Sequence, residues 1–411
     1  MINTNNRKNY ITSKKFLFLS LTGNTLEFYD LMIYAYFYKI FADQYIPSDQ
    51  FYRYLISWLA FATAFFARPI GGILFGAIGD IYGRKKSLTY SMITMSVATL
   101  SIGLLPNYYS IGYLAPILLF ILRFVQGLCV GGECNGIAIY LFETNYSSKR
   151  YLSSIVTASS MLGALLAIIV VYIIELLNPD LWRLGFIIGS LVGIVGVYIR
   201  IHFVEILPKD KCENALKIIK IIFNKYKTAF FAIIFLAGLN GSMCYLLLGY
   251  SQHIILKYFP SNIILARSLI LLSIATTFLS LFILGKLQVK DDKLEKNVLK
   301  ACILSMVLCV IAFILLSINN FLCTLSGMLI LGFCVALLGT DLHWFIISLF
   351  PDSYRYTGTS FAFSIGMAIF GGTTPAISFA LMDFIPNICL LSIYPCFLAI
   401  VFILIIKNYH N

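Results

Sequence analysis

The sequence predicts an all-α polytopic membrane protein, with twelve transmembrane helices in two six-helix bundles and both termini cytoplasmic. Three observations predict it. Of the 411 residues, 60% are hydrophobic and 12% charged, with a mean hydropathy of +0.89, too apolar for a soluble globule. Apolar runs of about 20 residues, enough to cross ~30 Å of hydrocarbon, recur along the whole length. Lys and Arg alternate from loop to loop: 23 of the 30 fall on one side and five (Lys39, Arg53, Arg183, Lys257, Arg267) on the other, with Arg68 and Arg123 inside spans. That asymmetry puts the N-terminus in the cytoplasm. It also disposes of nucleic acid as a partner, because the net charge of +12 belongs to membrane insertion.

The elements follow in order. Met1 to Lys15 is a short basic leader. The first run, Phe16 to Phe41, is too long for a signal-peptide core and lacks a small-residue cleavage site, so it stays as a membrane helix. Runs at Tyr52–Gly76, Leu88–Leu105, Tyr113–Phe142, Ser153–Leu177 and Leu181–Phe203 complete the first six. Val204 to Lys227 breaks the pattern with six lysines, and its Ala215–Phe223 part has the spacing of a helix lying on the membrane surface. Six more runs follow at Thr228–Tyr250, Ile263–Gly285, Leu299–Ser317, Phe321–Phe350, Thr359–Met382 and Ile388–Ile406. The expected organisation is therefore a bundle over 1–203, a cytoplasmic basic linker over 204–227 and a second bundle over 228–411. The ten cysteines lie mostly inside apolar runs, without Cys-x-x-Cys or a histidine at metal spacing, so no metal or cofactor is expected.

The chemistry should lie where polar groups enter apolar spans. Arg123, Gln126 and Glu133 fall within one third of a helix circumference, beside Gly127, Gly131 and Gly132, which allow a neighbouring helix to come close. In hydrocarbon an arginine costs about 2.5–3.5 kcal/mol on the insertion scale, so this face needs a partner or a watery cavity. In the first run Asn24, Glu27, Asp30 and Tyr34 recur at intervals of three and four, again on one face. Helical rise puts Glu27 at a depth of ~16 Å and brings Arg123 to a similar depth from the opposite side. A buried carboxylate binds or releases a proton as desolvation and a nearby cation oppose each other, whereas arginine keeps its proton. Glu27, Asp30 and Glu133 are thus candidate proton carriers, and Arg123 a candidate anchor for a substrate carboxylate. Asn24, Gln126 and, in the tenth run, Asp341 complete the expected pathway. An internal salt bridge that only orders the bundle is the competing reading of each.

Gly76-Ala-Ile-Gly79-Asp80-Ile-Tyr-Gly83-Arg84-Lys85-Lys86, between the second and third runs, is a glycine turn carrying a carboxylate and three cations. It resembles the cytoplasmic signature loop of the major facilitator superfamily. Further motifs narrow the resemblance to the metabolite:proton symporter family, which includes proline/betaine, α-ketoglutarate and shikimate transporters. They are Gly23-Asn24-x-x-Glu27-Phe-Tyr-Asp30, Arg68-Pro69-x-Gly71-Gly72, Arg123-x-x-Gln126-Gly127-x-x-x-Gly131-Gly132-Glu133, Leu349-Phe350-Pro351-x-x-x-Arg355-Tyr356-x-Gly358 and Gly371-Gly372-x-x-Pro375. The resemblance implies two bundles rocking about a central site while a substrate moves with a proton, and a cytoplasmic gate at Gly76, Asp80, Gly83, Arg84, Glu143, Arg150 and Arg355. The chain departs from the family at Ile81, where an arginine is usual, and at Ser348, where glutamate is common. Its second copy of the loop has decayed to Gly285-Lys286-Leu-Gln-Val-Lys-Asp-Asp.

A pump would need a phosphate loop and a soluble motor domain, and an enzyme a cluster of catalytic groups; neither is present in the sequence. The expected function is proton-coupled symport of a small carboxylate-bearing or zwitterionic metabolite by a monomeric multi-pass protein of the cytoplasmic membrane. The expected partners are the substrate, protons and the lipid bilayer. A proton-independent facilitator or exchanger, or a non-transporting sensor with the same fold, is the alternative.

Overall fold

A computed structural model describes residues 14–48, 50–144, 148–201, 215–251, 254–255, 263–318, 320–385 and 387–409. The regular elements among them are all helical. They are α1 (Lys14–Tyr36), α2 (Tyr38–Tyr45), α3 (Gln50–Tyr82), α4 (Arg84–Leu104), α5 (Tyr108–Ile111), α6 (Leu114–Thr144), α7 (Lys149–Leu177) and α8 (Arg183–Ile201). After the basic segment come α9 (Ala215–Lys225), α10 (Lys227–Tyr245), α11 (Ile263–Lys286), α12 (Leu294–Ser317), α13 (Phe321–Ser348), α14 (Arg355–Gly366), α15 (Thr374–Phe384) and α16 (Ile393–Tyr409). Among the described residues, ten helices are long and apolar enough to cross a membrane, against the twelve expected. The other two expected spans are helical but interrupted or more polar. One is α1 with α2, which carries Asn24, Glu27 and Asp30 and turns at Phe37 (φ −93°, ψ 12°). The other is α14 with α15, separated by a wide π-helical turn over Met367–Gly371.

The chain divides into two compact units. Unit 1 comprises Met1–Tyr146, Leu162–Ile219 and Asp352–Phe361; unit 2 comprises Ser147–Met161, Lys220–Pro351 and Ala362–Asn411. Each unit therefore takes in a short segment from the other half of the sequence: the first turns of α14 belong with unit 1, and those of α7 with unit 2.

In unit 1, α3 packs along α6 and α4 along α8. Glycines set the first approach. A Cβ on Gly127 would overlap the Ala64 backbone, one on Gly131 the Arg68 carbonyl, and one on Gly71 the Leu128 backbone. Gly83 separates α3 from α4 at φ +110°, a conformation that side-chain-bearing residues rarely adopt. At the other end of α4, Arg183 Nη1 donates to the Gly103 and Leu105 carbonyls at 2.8 Å each, satisfying acceptors that a helix end leaves free. Outward, Leu191, Ile194, Val195 and Tyr198 of α8 form an exposed apolar stripe, the surface that a bilayer rather than water would cover.

In unit 2, α13 packs against both α11 and α12, and α10 against α16 and the π-helical turn. A second π-helical turn, Leu246–Tyr250, continues α10. Gly241 lies against Met367 and Gly371, and Gly238 against Phe370, so the Met367–Gly371 turn packs on α10 just before its own π-helical turn.

Candidate functional site

The polar face of α1 is buried as a block: Asn24, Glu27, Asp30 and Tyr34 are each 4% exposed or less. The three-and-four spacing sets all four on one face of α1, from which Asp30 reaches Thr99 of α4 and Tyr34 reaches Arg123 of α6, itself buried with Gln126. Arg123 Nη1 donates to Gln126 Oε1 at 2.8 Å, Gln126 Nε2 donates to Thr99 Oγ1 at 2.9 Å, and Thr99 Oγ1 donates to Asp30 Oδ2 at 2.7 Å. Asp30 is thus joined to Arg123 through two neutral side chains. The donors all point the same way, from guanidinium to carboxylate, so each bond polarises the next. The Arg123 guanidinium lies 4.3 Å from the ring centroid of Tyr34 and 5.5 Å from that of Phe61, cation–π contacts that fix its plane. Tyr34 is held in turn by its hydroxyl, which donates to the Ser57 carbonyl at 3.1 Å.

Beside this chain is a cavity of about 20 Å³ lined by Gly23, Glu27, Asp30, Ser91, Ser96 and Cys129 among others, large enough for one water. Glu27 and Asp30 both line it. Arg68 is a second buried cation of unit 1, stacked 4.1 Å from the Phe65 ring centroid, with Nε and Nη2 unbonded among the described residues. The side chain of Glu133 lies outside the described residues, as does Cys212.

A second constellation occupies the Asp80 end of unit 1. Asp80 Oδ2 accepts from the Thr357 amide at 2.9 Å and from its hydroxyl at 2.6 Å, while Asp80 Oδ1 accepts from Arg84 Nη1. Arg84 also grips Glu143, Nε to Oε2 and Nη2 to Oε1 at 3.3 Å each. Arg355 lies 4.0 Å from Glu143 and 2.6 Å from Asp352, so charges of alternating sign run from Asp80 to Asp352. Asp80 and Arg84 are fully buried, so loss of either leaves a buried charge short of a partner. The Tyr356 ring fills a slot between Gly79 and Gly136, with the Arg84 guanidinium 5.3 Å from its centroid. Gly76 admits the Thr357 backbone alongside it. Of the expected gate residues, Gly76, Asp80, Gly83, Arg84, Glu143 and Arg355 are therefore brought together here.

Arg150 is elsewhere, in unit 2. Its Nε lies 3.0 Å from Asp341 Oδ1, an ion pair though not aligned as a hydrogen bond, and Nη1 donates to the Leu287 carbonyl at 3.3 Å. Lys149 Nζ reaches Asp291 at 2.7 Å. The two cations that open α7 thus end on the altered second loop, which still receives charge from a helix start. Ser153 Oγ accepts from the backbone amides of His343 and Trp344 at 3.0 and 3.3 Å. Asp341, expected on the transport pathway, is therefore engaged by the expected gate residue Arg150.

Sequence reasoning did not single out Thr99, Tyr356 or Thr357. Threonine in a membrane helix ordinarily bonds back to its own backbone, as Thr25 does to Leu21 and Thr340 to Ala336, so residue type alone carries no tertiary signal. Tyr356 sits inside the Arg355-Tyr356-x-Gly358 motif, and the glycines that would reveal its slot lie far away in the sequence. Among the described residues no group of three or more His, Cys, Asp or Glu is placed to hold a metal ion.

The chain is similar to known membrane transporters over most of its length. Residues 15–220 match the sugar (and other) transporter family. A protein of Staphylococcus aureus (strain COL), whose name provisionally assigns it to proline/betaine transport, is 32% identical over 386 residues, covering 89% of this chain and 81% of its own. The proline/betaine transporter of Escherichia coli (strain K12) is 29% identical over 404 residues, covering 92% and 80%. Among solved structures, the proton:xylose symporter XylE bound to 6-bromo-6-deoxy-D-glucose superimposes with a TM-score of 0.74 at 16% identity, over 96% of this chain and 95% of that one. A human organic anion transporter gives a TM-score of 0.70 at 12% identity, over 95% and 98%; at these identities the likeness is one of fold. An all-helical chain with buried charge on its apolar helices, matched over most of its length to membrane transporters, is a multi-pass membrane protein and not an enzyme: it belongs to the major facilitator superfamily, among the relatives of the proline/betaine transporters of the metabolite:proton symporter family.

Proposed function

We propose that this transporter carries a small carboxylate-bearing or zwitterionic metabolite, of the proline or betaine kind, together with a proton. The observation that carries the reading is the chain from Arg123 through Gln126 and Thr99 to Asp30, which joins a permanent cation to a titratable carboxylate inside unit 1. A guanidinium held against the Tyr34 and Phe61 rings offers planar, paired donors to a carboxylate. Asn24, Glu27, Asp30, Arg123, Gln126, Glu133 and Asp341 are proposed as the pathway. The Asp80–Arg84–Glu143–Arg355 network with Arg150 is proposed as the cytoplasmic gate, in a protein of twelve spans with both termini inside. Two bundles, 1–203 and 228–411, alternating in access around the 204–227 linker, complete the reading.

The test is uptake by proteoliposomes of radiolabelled proline and glycine betaine, with and without an inwardly directed proton gradient. Symport predicts accumulation above the external concentration that collapses when the gradient is removed and is lost in Arg123→Gln. Uptake that equilibrates regardless of the gradient would make the protein a facilitator or exchanger. No uptake of either compound, or of other small carboxylates, would favour a sensor.

A further inference from the structure

The hydrogen-bond chain has only one internally consistent polarity when Asp30 is ionised. Arginine is a donor only, and a carboxylate is an acceptor only. Thr99 must therefore spend its single O–H on Asp30 Oδ2, must accept from Gln126 Nε2, and leaves Gln126 Oε1 to take Arg123 Nη1. Every link is satisfied, and Arg123 Nη1 is occupied.

A proton on Asp30 permits the reverse. The carboxylic O–H then donates to Thr99 Oγ1, the Thr99 hydroxyl turns toward Gln126, and the Gln126 amide flips so that Oε1 accepts from it. The oxygen and nitrogen of the amide are nearly equal in size, so the flip needs little space. No proton travels along the chain: one is added at Asp30, and the other two groups only reorient. Gln126 Nε2 then faces Arg123 Nη1, donor to donor, a position that needs an acceptor between them, and a substrate carboxylate supplies one.

We propose that Thr99 is the residue that couples the two cargoes: a proton on Asp30 reverses the Thr99–Gln126 hydrogen bonds and so opens a carboxylate-accepting position between Gln126 and Arg123. The proposal rests on the reading of proton-linked carboxylate transport above. Thr99 carries neither cargo itself: it touches the proton-binding Asp30 and acts by positioning Gln126. The groups around Asp30 leave the task to it. On its own helix the titratable neighbours are Glu27 and Tyr29, whose hydroxyl donates to the Gly185 carbonyl at 2.8 Å. From α6 come Arg123 and Cys129, while α4 offers Thr99 and Ser96, and α8 offers Gly189 and Gly193.

The decisive experiment needs no substrate. Infrared difference spectra of the reconstituted transporter between high and low pH should contain a protonated-carboxyl band, lost in Asp30→Asn, and a side-chain amide band, lost in Gln126→Leu. In Thr99→Val the carboxyl band should persist and the amide band vanish; in Thr99→Ser both should return. A wild-type spectrum without the amide band, or a Thr99→Val spectrum that keeps it, overturns the proposal. In proteoliposomes, gradient-driven accumulation of proline or betaine should fall at least tenfold in Thr99→Val and recover in Thr99→Ser, with exchange of the same compound falling less. Equal loss of exchange and accumulation, unrelieved by serine, would make Thr99 a packing residue. If the wild type accumulates neither compound, the substrate reading fails and the spectra alone decide the coupling.

Discussion

Gly136 faces the Tyr356 hydroxyl so closely that a Cβ on the glycine would overlap the oxygen, whereas a Cβ on Gly79 would meet the side of the ring, at Cδ1 and Cε1. The tyrosine is fully buried, and its slot exists only because both walls lack side chains.

That difference predicts an asymmetric rescue. Gly136→Ala and Gly79→Ala should each displace Tyr356, at a cost of about 1–3 kcal/mol, and slow transport at least tenfold. Tyr356→Phe removes the hydroxyl that the methyl of Gly136→Ala overlaps most, leaving Cζ 2.5 Å and Cε2 3.0 Å from it, but keeps both ring carbons that the methyl of Gly79→Ala overlaps. The double variant with Gly136→Ala should therefore recover part of the exchange rate, and more of it than the one with Gly79→Ala. Equal rescue of both would show that the ring does not seat in this slot during the cycle.

Asp80 takes donors from Arg84 and twice from Thr357. Asp80→Asn removes the charge while keeping the shape, and leaves Arg84 with Glu143 as its remaining ion partner. Hydrogen bonds to charged groups contribute about 1.5–3 kcal/mol each, so the packed arrangement of α14 against α3 should loosen by roughly one such bond or more. Transport should slow about tenfold while the amount of inserted protein stays within about twofold. Thiol labelling of a cysteine placed at Thr357 should speed up in parallel. Wild-type rates for Asp80→Asn combined with Arg84→Gln would reduce the turn to a topological signal.

Arg123 stacks on Tyr34 and donates to Gln126 at once, which a lysine cannot do with a single ammonium. Arg123→Lys should cost uptake at least tenfold despite the retained charge. Arg123→Gln should abolish uptake and lower the yield of folded protein, because losing one member of a buried charged pair typically costs about 3–5 kcal/mol. Adding Asp30→Asn or Glu27→Gln should restore folded yield without restoring accumulation against a gradient. Full recovery of accumulation in either double variant would assign these charges to bundle assembly alone.

The Arg150–Asp341 pair offers a stability measurement in unit 2. Asp341 is the more deeply buried partner, with 3% of its side chain exposed against 13% for Arg150. Arg150→Gln strands a buried carboxylate and should lower the melting temperature in detergent more than Asp341→Asn, whose orphaned guanidinium keeps the Leu287 carbonyl. The double variant should be more stable than the sum of the singles predicts, with a coupling of about 1–3 kcal/mol. Additive effects would show that the two groups do not interact in the folded protein.

The helices were legible in the sequence because a bilayer demands long apolar runs, and the polar face of α1 because Asn24, Glu27, Asp30 and Tyr34 keep helical spacing. The close approach at Gly127 and Gly131 was legible for a related reason: glycine beside a buried arginine has few other uses in a span. What escaped was pairing across distance. Nothing in the sequence around Thr99 distinguishes its hydroxyl from those that bond within their own helices, and nothing near Asp341 names Arg150 as its partner. The interruption at Met367–Gly371 was marked by Gly366, Gly371, Gly372 and Pro375, but a run of apolar residues hides a change of helical register.

The paired π-helical turns in unit 2 carry a mechanical consequence. A helix wound five residues back in one turn stores one residue more than its regular neighbours need. Releasing that surplus into regular winding would swivel everything beyond it by about 100°, without breaking the rod in two. Met367–Gly371 packs on α10 at Gly238 and Gly241, just before Leu246–Tyr250, and those glycines remove side-chain ridges that would lock such a swivel. Unit 2 thus contains a slip joint: a place where torque can be taken up locally while the long helices on either side stay rigid.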